Sequence, residues 1–134
     1  MTLSSEGIAE SPQGSTRFVV LRHVQRDGVH FDLMIQRGGT LATWKCLVAP
    51  EDAQREAVAC ERLADHRLAY LDYEGPISGD RGDVTRVDQG VCTVEAWDED
   101  RVDVVFRGMR LVGRFRMTKA QDDDQSWSLI RLGG

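Results

Sequence analysis

Hydrophobic and polar residues alternate over short runs in this chain, and small turn-forming residues punctuate the runs. Residues 17–23 carry Phe18, Val19, Val20 and Leu21 and predict a first strand; residues 30–36 predict a second. Asp27-Gly28 lies between them and reads as a tight hairpin turn, because both residues tolerate the positive φ that such turns need. In the second run Phe31, Leu33 and Ile35 share one face, and His30, Asp32, Met34 and Gln36 share the other. The apolar set must meet a core. His30 and Asp32 then stand side by side on the opposite face, with His23 near the turn that feeds them. Two imidazoles and a carboxylate so spaced can bind a divalent transition metal.

The same pattern continues. Arg37-Gly38-Gly39 turns into a third strand at 40–48, which holds Trp44. Pro50-Glu51-Asp52 has the proline and acids of a helix start. Residues 53–63 suit either a continuing helix or a strand near 57–63. Residues 67–74 alternate, with Leu68, Tyr70 and Asp72 on one face, and predict a strand followed by a loop at 75–82. Further strands are expected at 83–88, 91–97, 102–107, 111–117 and 127–132. Gln89-Gly90, Asp98-Glu99-Asp100 and Gly108-Met109 separate them, and Asp122-Asp123-Asp124 falls in the last hairpin loop. The sum is a mainly β protein: a compact antiparallel β-barrel of about eight strands with one or two short peripheral helices, closure removing exposed edges. Residues 1–16, rich in Ser, Gly, Glu and Pro, read as a flexible N-terminal tail, and 17–134 as one domain.

Composition narrows the class. The chain has 134 residues, 41% hydrophobic and 29% charged, enough for one globular domain with its own core. No apolar run approaches the roughly 20 residues of a membrane span, and the N-terminus lacks the pattern of a secretory signal. Cys46, Cys60 and Cys92 are odd in number and form no Cys-x-x-Cys pair, which points to free thiols in a reducing, cytoplasmic setting. A net charge of −5 excludes a basic nucleic-acid coat protein but not an enzyme that grips one end of a strand. Taken alone, these residues leave open a small-ligand barrel in which the histidines are incidental.

A resemblance goes further. His23, then His30-Phe31-Asp32, then the block Asp65-His66-Arg67-Leu68-Ala69-Tyr70-Leu71-Asp72-Tyr73-Glu74-Gly75-Pro76-Ile77 resemble the signature of the 3′-phosphoesterase domain of bacterial DNA ligase D. The likeness runs from about residue 17 to 132, and all three histidines of the chain fall on motif positions. It implies a compact β-barrel that removes a 3′-phosphate or a terminal 3′-ribonucleotide from DNA before ligation, using manganese or another divalent transition metal. It implies His23, His30 and Asp32 as metal ligands, and His66 and Tyr70 as catalytic groups at the phosphate. By strand parity Tyr70, four residues on, would share a face with His66. The implied partners are DNA 3′ ends and a separate DNA ligase or polymerase in non-homologous end joining, with the protein itself a monomer.

The family's arginine two residues beyond the metal-binding aspartate is Met34 here. Methionine offers no donor to a phosphate, so the enzyme would be weakened unless Arg26, Arg81 or Arg116 takes over. The His23–His30 hairpin is also one residue longer than in the family. The alternative is therefore a catalytically weak or inactive metal-binding barrel that docks on DNA ends or a repair partner.

Overall fold

The computed structural model describes residues 14–53 and 56–133. Nine strands form one sheet: β1 (Ser15–Gln25), β2 (Gly28–Arg37), β3 (Thr40–Cys46), β4 (Val58–Arg67), β5 (Gly75–Pro76), β6 (Asp83–Trp97), β7 (Arg101–Arg107), β8 (Val112–Ala120) and β9 (Asp123–Gly133). Eight of them run β1-β2-β3-β4-β9-β8-β7-β6 around the sheet, and pairing of β1 with β6 closes it into an antiparallel barrel. The short β5 adds a two-residue ladder to the start of β6. Among the described residues, two 3₁₀ turns, Pro50–Asp52 and Leu68–Leu71, stand in place of α-helices. No helix among the described residues is long and apolar enough to cross a membrane.

The side chains sort into two apolar clusters, one on each face of the barrel wall. Every one of the eight barrel strands sends residues to the larger cluster, which is the interior: Phe18, Leu33, Trp44, Cys60, Cys92, Phe106, Phe115 and Leu129 are among them, all buried. Phe106 packs edge-on against both Phe18 and Phe115, an arrangement that aromatic quadrupoles favour. The smaller cluster lies outside, on β1, β2, β3 and the start of β6, where Val84 joins it. Val19, Leu21, Met34 and Leu41 form its floor, and Leu71 with the partly buried Leu68, Tyr70 and Ile77 covers it. The face of β2 opposite the interior is thus sheltered by the chain between β4 and β6.

Several elements depart from the sequence reading. The first turn is Arg26-Asp27, because Gly28 (φ 147°) already pairs with Gln25. Of the expected tail, residues 1–13 lie outside the described residues, and β1 begins at Ser15. The 53–63 ambiguity resolves to strand from Val58 onward. The strand expected over 67–74 is instead the end of β4 and the Leu68–Leu71 turn. Four to eight residues of mixed apolar character fit both patterns, and the exposed outer cluster needs a cover more than the sheet needs another strand. Residues 83–97 are one strand, not two. Gly90 does not break it: a Cβ there would meet the Arg107 carbonyl oxygen at 2.5 Å, so glycine permits close strand approach. The last hairpin turns at Gln121-Asp122, and Asp123 and Asp124 belong to β9. Asp123 accepts bonds from Gln125 N–H and the Ser126 hydroxyl, and Asp124 pairs with Lys119, so these acids are used locally.

Candidate functional site

The β1–β2 register sets the core of the site. A two-residue hairpin pairs Gln25 with Gly28, and the same register puts His23 directly opposite His30 and Leu21 opposite Asp32. Cross-strand pairing brings the two rings to a 4.6 Å centroid separation, and strand alternation brings Asp32 beside His30. One ligand atom from each of His23, His30 and Asp32 lies within 4.8 Å of the others. His30 and Asp32 are buried and His23 is partly so.

Hydrogen bonds decide what this cluster can hold. His23 Nε2 lies 2.7 Å from the Arg81 carbonyl oxygen, which can only accept, so Nε2 carries the proton. A neutral ring then presents a bare Nδ1 to Asp32 Oδ2, 3.4 Å away. His30 Nε2 lies 3.1 Å from Asp32 Oδ1, yet that oxygen is buried and makes no hydrogen bond. A buried carboxylate oxygen left without a hydrogen bond beside two imidazoles is unfavourable, and a cation joining the three would satisfy it. Two imidazoles and a carboxylate, one ring oriented by a backbone carbonyl, are a donor set that suits a divalent transition metal.

A cleft of about 280 Å³ opens on this cluster. His66, Tyr70 and Arg81 also line it, and Met34 and Lys45 border it next to Asp32. His66 follows an irregularity in the β3–β4 ladder, where Leu41 pairs with His66 but Thr43 with Leu63. Its Nδ1 donates to the Ala64 carbonyl at 2.8 Å, which leaves Nε2 as the nitrogen available to a substrate. Tyr70 sits in the 3₁₀ turn and not on a strand, so the parity argument for it fails. The turn nonetheless folds its ring to 5.7 Å from that of His66, and among the described residues its hydroxyl has no protein partner.

The arginines expected to replace the missing one at Met34 are mostly committed elsewhere. Arg116 makes a two-pronged pair with Asp103 at 2.8 and 3.1 Å, and holds that carboxyl below its usual range. Arg26 pairs with Asp80 at 2.8 Å on the surface. Arg81 borders the cleft, but its guanidinium donates to the Ser78 carbonyl and hydroxyl. The three cysteines are buried and none lines the cleft. Cys46 and Cys60 lie 3.3 Å apart as free thiols, and their hydrogen bond and burial push the Cys46 thiol well up. Burial pushes Cys92 up to about 12. Two participants were missed in the sequence: the Arg81 carbonyl, which no side-chain pattern encodes, and Lys45. The Gly38-Gly39 turn already fixed the β2–β3 register that sets Lys45 opposite Asp32, so Lys45 was legible.

The family model for the DNA ligase D 3′-phosphoesterase domain matches residues 21–119. The multifunctional non-homologous end joining protein LigD of Pseudomonas aeruginosa is 28% identical over 131 residues, which cover 88% of this chain and 15% of that protein. The chain thus spans a small part of the length of this relative. With His23, His30, Asp32, His66 and Tyr70 all inside the matched segment, the chain belongs to the DNA ligase D 3′-phosphoesterase domain family.

Proposed function

We propose that this chain is a metal-dependent 3′-phosphoesterase that cleans DNA 3′ ends, removing a 3′-phosphate or a terminal 3′-ribonucleotide so that a ligase can join them. The observation that carries this is Asp32 Oδ1, a buried carboxylate oxygen without a hydrogen bond beside His23 and His30, in a cleft that His66 and Tyr70 also line. His23, His30 and Asp32 would hold manganese or another divalent transition metal, which would supply Lewis acidity and neutralise phosphate charge. Tyr70 offers its unpaired hydroxyl to a phosphate oxygen. As a water forms the new bond to phosphorus and the bond from phosphorus to the 3′ oxygen breaks, His66, held through Nδ1–H by the Ala64 carbonyl, would act in its doubly protonated form, its Nε2 proton passing to the departing 3′ oxygen of the sugar. Apolar side chains of Leu21, Leu63, Ile77 and Val84 also line the cleft, and a phosphate held against them would lose water and feel both contacts more strongly.

Met34 favours a second reading. It is fully buried in the cleft wall and donates nothing, as expected of a barrel that binds metal and docks on DNA ends with little turnover. Phosphate release from a 3′-phosphate oligonucleotide, with and without manganese, separates the two. Manganese-dependent release is the expected result. Manganese binding with no release from 3′-phosphate or 3′-ribonucleotide ends would establish the docking reading instead.

A further inference from the structure

The cleft contains a cation that the metal cluster does not use. Lys45 on β3 is the direct cross-strand neighbour of Asp32, while Thr43, two residues earlier on the same face, is the neighbour of Met34. Lys45 is therefore diagonal to Met34, within reach of a long side chain. It is partly buried and lines the cleft with His66 and Tyr70. On its other side β4 places Glu61 opposite it, yet among the described residues Lys45 forms neither an ion pair nor a side-chain hydrogen bond. The contrast with the chain's other lysine is informative: Lys119 is bonded to the Ala120 carbonyl and paired with Asp100 and Asp124. A partly buried lysine without a carboxylate within bonding distance is an unusual choice for a wall that needs only apolar packing.

We propose that Lys45 is the phosphate-binding cation of this site, supplying from β3 the charge that Met34 does not supply from β2. The inference rests on the phosphoesterase reading above for the identity of the ligand. A metal ion would take up the Asp32 carboxylate and leave the neighbouring ammonium to the substrate. Lysine is a compact point charge on a flexible stem and lacks the planar fork of arginine. It responds to the charge of a phosphate more than to its orientation. A terminal phosphomonoester carries more negative charge than an internal diester, so Lys45 favours ends that carry a 3′-phosphate.

The test measures binding, not turnover. Two oligonucleotides are compared by fluorescence anisotropy with saturating manganese: one ends in a non-hydrolysable 3′-methylenephosphonate, the other in a 3′-hydroxyl. Lys45→Met keeps the apolar stem and removes the charge. It should weaken the phosphonate-ended strand by about tenfold or more, the scale of a hydrogen bond to a charged group, and leave the hydroxyl-ended strand unchanged. Manganese affinity, read by calorimetry, should stay the same. Adding Met34→Arg to Lys45→Met should restore the preference for phosphonate. Equal loss on both strands would show that Lys45 acts on the DNA backbone in general, and no loss on either would show that it does not touch the phosphate; each overturns the proposal. Wild-type phosphate release is assayed in parallel. A strong phosphonate preference that depends on Lys45, with no release by the wild type, would sustain Lys45 and remove the enzyme reading. Release by the wild type that Lys45→Met leaves intact, with binding also intact, would do the reverse.

Discussion

The β1–β2 hairpin and the chain from His66 to Gly82 contribute the two sides of one cleft by different physical means. On the hairpin, His23, His30 and Asp32 are held by a continuous antiparallel ladder, and their relative positions follow from register and alternation alone. Across the cleft, His66 stands after a ladder irregularity, Tyr70 in a 3₁₀ turn and Arg81 in a loop. His66 is still paired with Leu41 near the end of β4, while Tyr70 and Arg81 are held by a small apolar cluster and single hydrogen bonds, such as that from Ile77 N–H to the Gly82 carbonyl at 2.7 Å. The ladder side suits ligands that must meet an ion at fixed distances. The loop side suits groups that must adjust to a strand end as it arrives, and elements of this kind open more readily than paired strands.

If the division is real, substitutions on the two sides should fail in different ways. The largest effect is expected at Asp32. Asp32→Ala removes a charged ligand, and manganese affinity should fall by more than about a hundredfold, since even outer partners of a metal ligand are worth 10–100-fold. Folding should hold, because the carboxylate is buried without a hydrogen bond and its charge costs stability when no ion is bound. Calorimetry with manganese, alongside a thermal melt, checks both parts; undiminished affinity would remove the metal site. On the loop side, His66→Ala should lower phosphate release by about 10²–10⁴-fold, the usual range for a general acid, with manganese affinity intact. A variant that releases phosphate at the wild-type rate would leave His66 with no catalytic role, and one that loses manganese would move it to the ladder side.

The same division explains what could be read from the sequence. The strand alternation of His30, Asp32 and Met34 needed only period two, and the outer face it implied is where the structure puts them. Barrel closure followed from many short strands. The 67–74 segment could not be read, because the outer cluster, itself assembled from β1, β2, β3 and the start of β6, decides that Leu68 and Leu71 fold down as a cover. That is a tertiary cause with no local signature. Gly90 misled for a related reason: the need for glycine comes from the Arg107 carbonyl on another strand, and a turn glycine looks the same in sequence. Tyr70 shows that a motif can be informative when its geometry is misread, since the turn and the imagined strand both aim it at His66.

The smallest effect tests the bond that ties the loop side to the metal cluster itself. The Arg81 carbonyl accepts from His23 Nε2 at 2.7 Å, so a loop residue fixes which nitrogen of a hairpin histidine faces Asp32. Gly82 places that carbonyl. It has φ +94°, a region that disfavours side chains, and a Cβ built on it would lie 2.0 Å from the Val24 carbonyl oxygen in β1. Gly82→Ala should therefore push the loop off β1 and carry the Arg81 carbonyl away from His23. The ligands themselves are untouched, so manganese should still bind, weaker by about tenfold, the low end for losing an orienting partner. The strained backbone should also lower the thermal midpoint of the apo-protein, which a melt without metal reads separately. A fall in thermal midpoint with manganese affinity unchanged would mean that the carbonyl does not orient the ring. Manganese affinity lost as completely as in Asp32→Ala would mean that the hairpin cannot hold its geometry without the loop, and the contrast between a rigid side and an adjustable one would fail.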